Sequence, residues 1–433
     1  MVSAAQENLI RRVARPLQSA ADLNPLIDRI GDARIVMLGE ASHGTSDYYQ
    51  WRMRLSQRLI EEKGFSFIAV EGDWPDCYRV NRYIKGYPNA GESALEILRG
   101  FRRWPTWMWA NWEVVALVEW LRTYNDSRPA ERKVGFYGLD VYSLWESLAE
   151  VSDYLERTDA EAAKAARQAF RCFQPYHEDA QSYAWATRVV PASCEQDVLN
   201  LLVEARKQAA PHPGDGEEAF NAEQNARVTV GAERYYRAMI QSGPTSWNIR
   251  DQHMTETLER LLDYLGPSAK AIVWEHNTHI GDARATDMAG AGMVNIGQLA
   301  RERHAADGVV LVGCGSYRGT VIAGQEWGAP MERMAVPEAR EGSWEALLHQ
   351  MLGYDALLLF SDEGGALFRR THGHRAIGVV YQPQYERMGN YVPTSLSQRY
   401  DAFLYLDETV ALHPLHITPE ASLEPPETYP FAV

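Results

Sequence analysis

Cysteine is scarce: four occur in 433 residues, Cys77, Cys172, Cys194 and Cys314, and no two form a C-x-x-C pair. Four dispersed thiols read as free cysteines of a reducing compartment. Long hydrophobic runs are missing as well, so no membrane span is expected. The opening residues Met1–Asn8 contain no apolar core of a secretory leader, and the expected location is the cytoplasm. Positive charge is in deficit, with 43 Lys and Arg against 58 Asp and Glu and a net charge of −15. A chain this acidic argues against nucleic acid as a partner, and the one basic trio, Arg52, Arg54 and Arg58, reads first as a solvated helix face. The common catalytic signatures are also absent. There is no H-E-x-x-H and no G-x-x-x-x-G-K-[S/T]. Gly39-Glu40-Ala41-Ser42-His43-Gly44 is one residue too long for the G-x-S-x-G nucleophile elbow. Gly313-Cys314-Gly315-Ser316-Tyr317-Arg318-Gly319 mimics a dinucleotide loop, but its spacing is wrong and no helix pattern follows, so a tight turn explains it. No cofactor is expected.

What is present is a set of short apolar runs that end on acids. Arg34–Leu38 leads into Gly39-Glu40, Phe65–Val70 stops at Glu71, and Ala271–Trp274 stops at Glu275-His276-Asn277-Thr278-His279. Runs of this length followed by helical patterns read as buried parallel strands. Strands are expected at about 34–39, 65–71, 133–139, 270–275, 308–313, 356–361, 375–381 and 402–407. The helix after the first strand is capped by Thr45 or Ser46 and ends at Gly64, with Trp51, Leu55 and Leu59 on one face. Residues 145–265 read almost wholly helical, too long for one crossover. The expected organisation is therefore an α/β core with a mostly parallel central sheet flanked by helices, split into 1–144 and 266–415. Between them lies a helical lobe, 145–265, and a Pro- and Glu-rich tail that frays or packs as an arm follows at 416–433.

Ligands in open α/β sheets bind beyond the carboxyl ends of the strands. This chain places Glu40, Glu71 and Glu275 with His43, His276 and His279 at those ends. A histidine beside a carboxylate is a general base of near-neutral pKa with a fixed tautomer, and His43, three residues after Glu40, is the leading candidate. His276 and His279, spaced i, i+3, also resemble half of a metal site, with His43, Glu40 or Glu71 as a third ligand. A metal-free and a metal-dependent hydrolase are thus both open. Arg52 is placed to turn inward, to polarise a carbonyl or pair with a carboxylate. Arg250 and Asp251 read as a structural ion pair. The aromatic cluster of Trp104, Trp107, Trp109 and Trp112 fits a core or a pocket wall for an apolar ligand.

Several of these motifs, in order along the chain, resemble the erythromycin esterase family: Gly39–Gly44, Val70-Glu71-Gly72-Asp73, Gly138–Ser143, Asn248–Asp251, Trp274–His279 and Arg399–Ala402. The resemblance spans about residues 20–415, is nearest to the broad bacterial branch that includes homologues labelled succinoglycan biosynthesis proteins, and implies an α/β core whose helical lobe lies beside a deep cleft. It implies a hydrolase that opens an ester or macrolactone of a small molecule with histidine-activated water and no serine nucleophile, the chemistry of macrolide inactivation. His43 is then the base and Glu40 and Glu71 its partners. Arg52 and His276 complete the catalytic set, and His279, Glu275, Trp107 and Trp109 contact substrate. A binding protein tied to polysaccharide production is the non-enzymatic alternative.

Overall fold

The computed structural model describes residues 10, 13–176, 180–189, 193–208, 217–240, 243–360 and 365–416. The tail beyond His416, read from sequence as an arm, lies outside them. Among the described residues there are eleven strands: β1 (Ala14–Pro16), β2 (Ile35–Leu38), β3 (Phe67–Val70), β4 (Gly135–Gly138), β5 (Ala271–Trp274), β6 (Val309–Gly324), β7 (Met331–Val336), β8 (Ala356–Leu359), β9 (Thr371–Arg375), β10 (Tyr391–Ser395) and β11 (Ala402–Thr409). The main sheet runs β1-β8-β11-β6-β2-β5-β3-β4, with β7 joined to β6. From β11 to β4 every neighbouring pair is parallel, while β1, β7 and β8 pair antiparallel. β9 and β10 form a separate hairpin-like pair. This is the mixed α/β fold with a mostly parallel sheet expected from sequence.

Alternation along the strands divides the core. Val36, Leu38, Ile68, Val70, Ile272 and Trp274 face helices Ser46–Lys63, Trp74–Lys85 and Trp112–Asp126. Ile35, Met37, Phe67, Ala69, Ala271 and Val273 face helices Thr245–Leu265, Ile296–Arg303 and Trp344–Met351. Strands buried on both faces must be apolar throughout, which is why they appear as unbroken runs. The helices between Leu144 and Met239 share a third core of their own, built on Leu148, Val151, Leu201 and Tyr235. Helix Ser46–Lys63 starts after an extended Thr45 and stops at Gly64, whose φ of +70° is cheap only for glycine.

Three expectations need correction. The 308–313 strand continues to Gly324, and the glycine run read as a tight turn is its interior. Those glycines are there for space: a Cβ on Gly313 would sit 2.7 Å from the Tyr400 ring, and one on Gly315 2.7 Å from Phe403. The 375–381 strand is not formed; the chain beyond β9 makes single bridges, Ile377 with Ser42 in the loop after β2 and Val380 with Gly324 at the end of β6, and packs Ile377 and Tyr381 against β6 and β7. It is anchored by Arg375, whose buried guanidinium binds Glu386 and the carbonyls of Ser316 and Pro337. Finally, Cys172 and Cys194 are joined in a disulfide, and only Cys77 and Cys314 are free, both buried. The free-thiol argument for a reducing compartment fails for half of the cysteines. No helix among the described residues is long and apolar enough to cross a membrane.

Candidate active site

Register brings the acids together. Leu38 pairs with Trp274, Trp274 with Val70, and Val70 with Gly138, so β2, β5, β3 and β4 end level. Glu275 and Glu71, one residue past their strands, and Glu40 and Asp140, two residues past theirs, therefore emerge side by side at the carboxyl ends of the strands. Close approach there depends on Gly39, since a Cβ at that position would lie 2.1 Å from Asn277 Oδ1.

His43 sits in this row with its Nδ1 2.9 Å from Glu40 Oε1. Arg52 Nη2 donates to the other Glu40 oxygen at 2.6 Å. The Arg52 guanidinium also stacks over Tyr49 and Trp274, at 4.3 and 4.7 Å from the ring centres. It thus turns inward to a carboxylate, one of the two roles expected for it, and is only 1% exposed. His43 Nε2 has no protein partner among the described residues, and the residue lines an open cavity. Burial pushes the imidazole pKa down, but the charges of Glu71 and Glu40 outweigh it and leave the value above the usual 6.5.

A second lattice lies beside the first. Arg250, on helix Thr245–Leu265, donates to Asp140 Oδ1 and Oδ2 at 2.9 and 2.7 Å and to Glu71 Oε1 at 2.7 Å. Its Nη1 is 3.1 Å from His279 Nε2, and His279 Nδ1 lies 3.0 Å from Asp251. Arg250 and Asp251 therefore do not pair with each other; each binds a group from a different strand end. Glu71 Oε2 accepts the backbone N–H of His276 at 2.8 Å. Burial alone would raise the Glu71 pKa, but His279, His43 and Arg250 together hold it well below the carboxylate range. His276 packs its ring 4.9 Å from that of His43, while its Nδ1 is 2.8 Å from Thr278 Oγ1. Burial, then the neighbouring His43, keeps His276 neutral. Glu275 is fully buried with neither oxygen hydrogen-bonded among the described residues, and burial, then Glu71, raises its pKa well above the usual carboxylate value.

A narrow cavity of about 90 Å³ opens over this edge. Its polar floor includes His43, Glu71, Asp140, Tyr142 and Arg250, and its apolar wall includes Phe101, Trp104, Met108, Trp109 and Trp327. Arg52, His276, His279, Glu275 and Trp107 are not in the lining; Trp107 is fully buried in the core beneath it. Trp109 both lines the cavity and donates its Nε1–H to the Glu71 carbonyl at 3.1 Å. Sequence reasoning missed Arg250, Tyr142, Asp73 and Asp76 as cavity residues, and treated Asp140 only as a strand end. The rule that picked out Glu40 and Glu71 applies equally to Asp140. Among the described residues no group of three His, Cys, Asp or Glu side chains is arranged to hold a metal ion. The His279 nitrogens face Asp251 and the Arg250–Glu71 pair, which leaves neither directed at His43.

The family model of the erythromycin esterases matches residues 60–409. The chain belongs to the erythromycin esterase family. It is a hydrolase of that family, and the matched stretch carries Glu71, Asp140, Arg250 and the His276–His279 segment. Glu40, His43 and Arg52 precede that stretch, but a longer likeness covers them. The putative hydrolase YbfO of Bacillus subtilis is 22% identical over 442 residues, which is 96% of this chain and 92% of that one. Erythromycin esterase type II of Escherichia coli is 29% identical over 163 residues, 37% of this chain and 36% of its own length. Among solved structures, a succinoglycan biosynthesis protein superposes with a TM-score of 0.75 at 22% identity, covering 95% of this chain and 100% of that one. A mutant erythromycin esterase in its open conformation gives 0.66 at 18% identity, covering 91% and 95%. At these identities the structures establish the fold.

Proposed function

We propose that this erythromycin esterase family member hydrolyses a carboxylic ester or macrolactone with His43 as general base. The observation that carries the reading is the state of His43: Nδ1 is fixed by Glu40 at 2.9 Å, while Nε2 is unpaired at the cavity. A carboxylate on Nδ1 puts the proton there and leaves Nε2 as the acceptor. Water gives a proton to Nε2, and its oxygen bonds to the ester carbonyl carbon. The resulting oxyanion is stabilised by Arg250, a guanidinium of the cavity lining beside Glu71, rather than by Arg52, which is outside the lining. The intermediate then breaks its bond to the alcohol oxygen, which takes the proton back from His43. Ser42, the chain neighbour of His43, has its hydroxyl paired with Thr45, in keeping with water rather than serine as nucleophile. Named relatives make a macrolide the first substrate to try, with simple esters and lactones next.

Mass spectrometry of erythromycin and an ester and lactone panel, with and without chelator, tests this. Gain of one water that survives chelation is expected. His43→Gln should lower kcat by about 10²–10⁴ with its fold intact, and a His43→Gln protein that keeps most of its activity overturns the mechanism.

A further inference from the structure

A second cavity opens in the helical lobe. Helices Glu195–Gln208, Glu218–Met239 and Thr245–Leu265 line a space of about 460 Å³. Among the described residues its lining shares no member with the catalytic cavity. Gln224, Arg227, Gly231 and Arg234 recur three or four residues apart, as do Ile249, His253, Glu256 and Arg260, so each set forms one stripe of its helix. A stripe turned towards a neighbouring helix is ordinarily apolar. These two are mostly polar. They meet closely at Gly231, where a Cβ would lie 2.5 Å from His253 Nδ1.

The lining carries Arg227, Arg234 and Arg260 against two acids, Glu195 and Glu256. Glu195 is taken by Arg237, outside the lining, at 3.1 Å. One carboxylate oxygen, Glu223 Oε1, serves both Arg227, at 2.9 Å, and Arg260, at 3.1 Å, with Arg206 3.6 Å from it. Arg234 is exposed and makes no ion pair or hydrogen bond among the described residues. With Arg206 counted, four guanidiniums stand against Glu223 and Glu256, a positive spot on a chain whose net charge is −15. Burial, then the Arg227 charge, holds the Arg260 pKa below its usual value although Glu223 is in contact. Burial lowers the His253 pKa to about 4, so that imidazole adds no charge at pH 7. Gln224 and Thr257, also in the lining, are 1% and 2% exposed. Gln224 donates to Thr257 Oγ1 at 3.1 Å and accepts from Arg260 Nε at 3.2 Å, which fixes the Arg260 side chain. Leu199, Leu202, Val230 and Ile249 make the apolar part.

A cation would meet like charge at Arg227, Arg234 and Arg260. Inorganic phosphate would suit the guanidiniums, yet it would leave the apolar part wet in a cavity above the roughly 300 Å³ at which small-molecule sites begin. An anion with a hydrocarbon tail uses both parts. Carboxylate and phosphate oxygens accept charge-assisted bonds from guanidinium, and the tail covers the leucines. We propose that the helical lobe holds a second ligand site, in which Arg227, Arg234 and Arg260 bind the carboxylate or phosphate of an organic anion and Leu199, Leu202 and Ile249 its apolar tail. The site is independent of the His43 reading, because no residue of the esterase mechanism takes part.

Calorimetry on the full chain at pH 7 and low salt tests this with hexanoate, hexyl phosphate, 1-hexanol and inorganic phosphate. The favoured hexyl anion is expected to bind about tenfold more tightly than either 1-hexanol or inorganic phosphate, a gap that one charge-assisted hydrogen bond or a short buried tail supplies. Which of the two anions binds more tightly identifies the head group. Arg234→Ala and Leu199→Glu lie at exposed positions, where substitutions leave the fold intact. Each should weaken the binding about tenfold. Hexanoate held in the catalytic cavity, as an ester product, would ignore both changes. Binding that both variants leave unaltered therefore overturns the site, as does failure of both anions to bind. Binding of 1-hexanol as tight as that of the anions overturns the charged half of the assignment, and equal binding of inorganic and hexyl phosphate overturns the apolar half. Ester turnover does not enter the readout, so a protein that cleaves no ester can still bind the anion, and an active esterase can fail to.

Discussion

At the scale of single residues, His43 is balanced between burial, which favours the neutral ring, and the anions Glu71 and Glu40, which favour the cation and prevail. A general base works in its neutral form. Activity should therefore rise with pH through a midpoint above 6.5 and fall off on the acid side. Glu40→Gln removes one of the raising charges, so the midpoint should move down while kcat falls through poorer control of the tautomer. A pH profile of kcat/KM checks both, and a midpoint that moves up in the variant contradicts the assignment. Glu275 makes the opposite bargain, since it is buried without hydrogen bonds and its pKa is raised well above 4.5 by burial and by Glu71. The folded protein then holds a proton that the unfolded chain releases above about 4.5, so folding stability falls as pH rises beyond that value. Glu275→Gln, a neutral isostere, should raise the melting temperature more at pH 8 than at pH 5. Equal effects at the two pH values would show that Glu275 ionises freely in the folded state.

At the scale of elements, the short helix Asn277–Ile280 carries His279 and is capped by His276, and four residues cannot be stable alone. It is fastened by Asn277, whose side chain donates to the Cys314 carbonyl at 2.7 Å and accepts from the Cys314 N–H at 3.2 Å, and whose backbone N–H binds the Glu40 carbonyl at 2.9 Å. Asn295 adds a bond to the Thr278 carbonyl at 2.7 Å. Asn277→Ala would strand both backbone groups of Cys314, at a cost of about 3 kcal/mol, and would loosen the helix beneath His43. Chemical denaturation should show that loss, and kcat should fall more than KM rises; an unchanged kcat would mean the helix is held elsewhere. The strand ends and their acids were legible because a buried parallel strand is an unbroken apolar run and its end is marked by the first charge. The partner of those acids was not, because Arg250 comes from a helix more than a hundred residues from Asp140 and Glu71, and no periodicity records which strand end a helix crosses. The interior of β6 was misread for a related reason. Gly313 and Gly315 look like turn residues until Tyr400 and Phe403 are known to occupy the space where side chains would be.

At the scale of the whole molecule, the described sheet and its flanking helices form two cores that share the strands, whereas the helices from Leu144 to Met239 have a core made largely of alanine, leucine and tyrosine. That third core is where the disulfide lies, joining the end of helix Ala163–Phe173 to the start of helix Glu195–Gln208 across a separation of 22 residues. Spacing alone could not reveal it, since two cysteines 22 apart are compatible with any arrangement until the helices between them fold back. Closing a loop of that length removes unfolded-state entropy worth about 3 kcal/mol in the chain-entropy model. Cys172 and Cys194 belong to the third core, and neither lines the cavity. Cys172→Ser should therefore lower the unfolding midpoint, with the helical segment opening first. Limited proteolysis should cut within residues 163–208 in the variant and not in the oxidised protein, while kcat on any accepted ester stays unchanged. Equal proteolysis of the two proteins would mean that the helices hold one another without the bond, and a loss of kcat would mean that the third core bears on the site through contacts not made by the cysteines themselves.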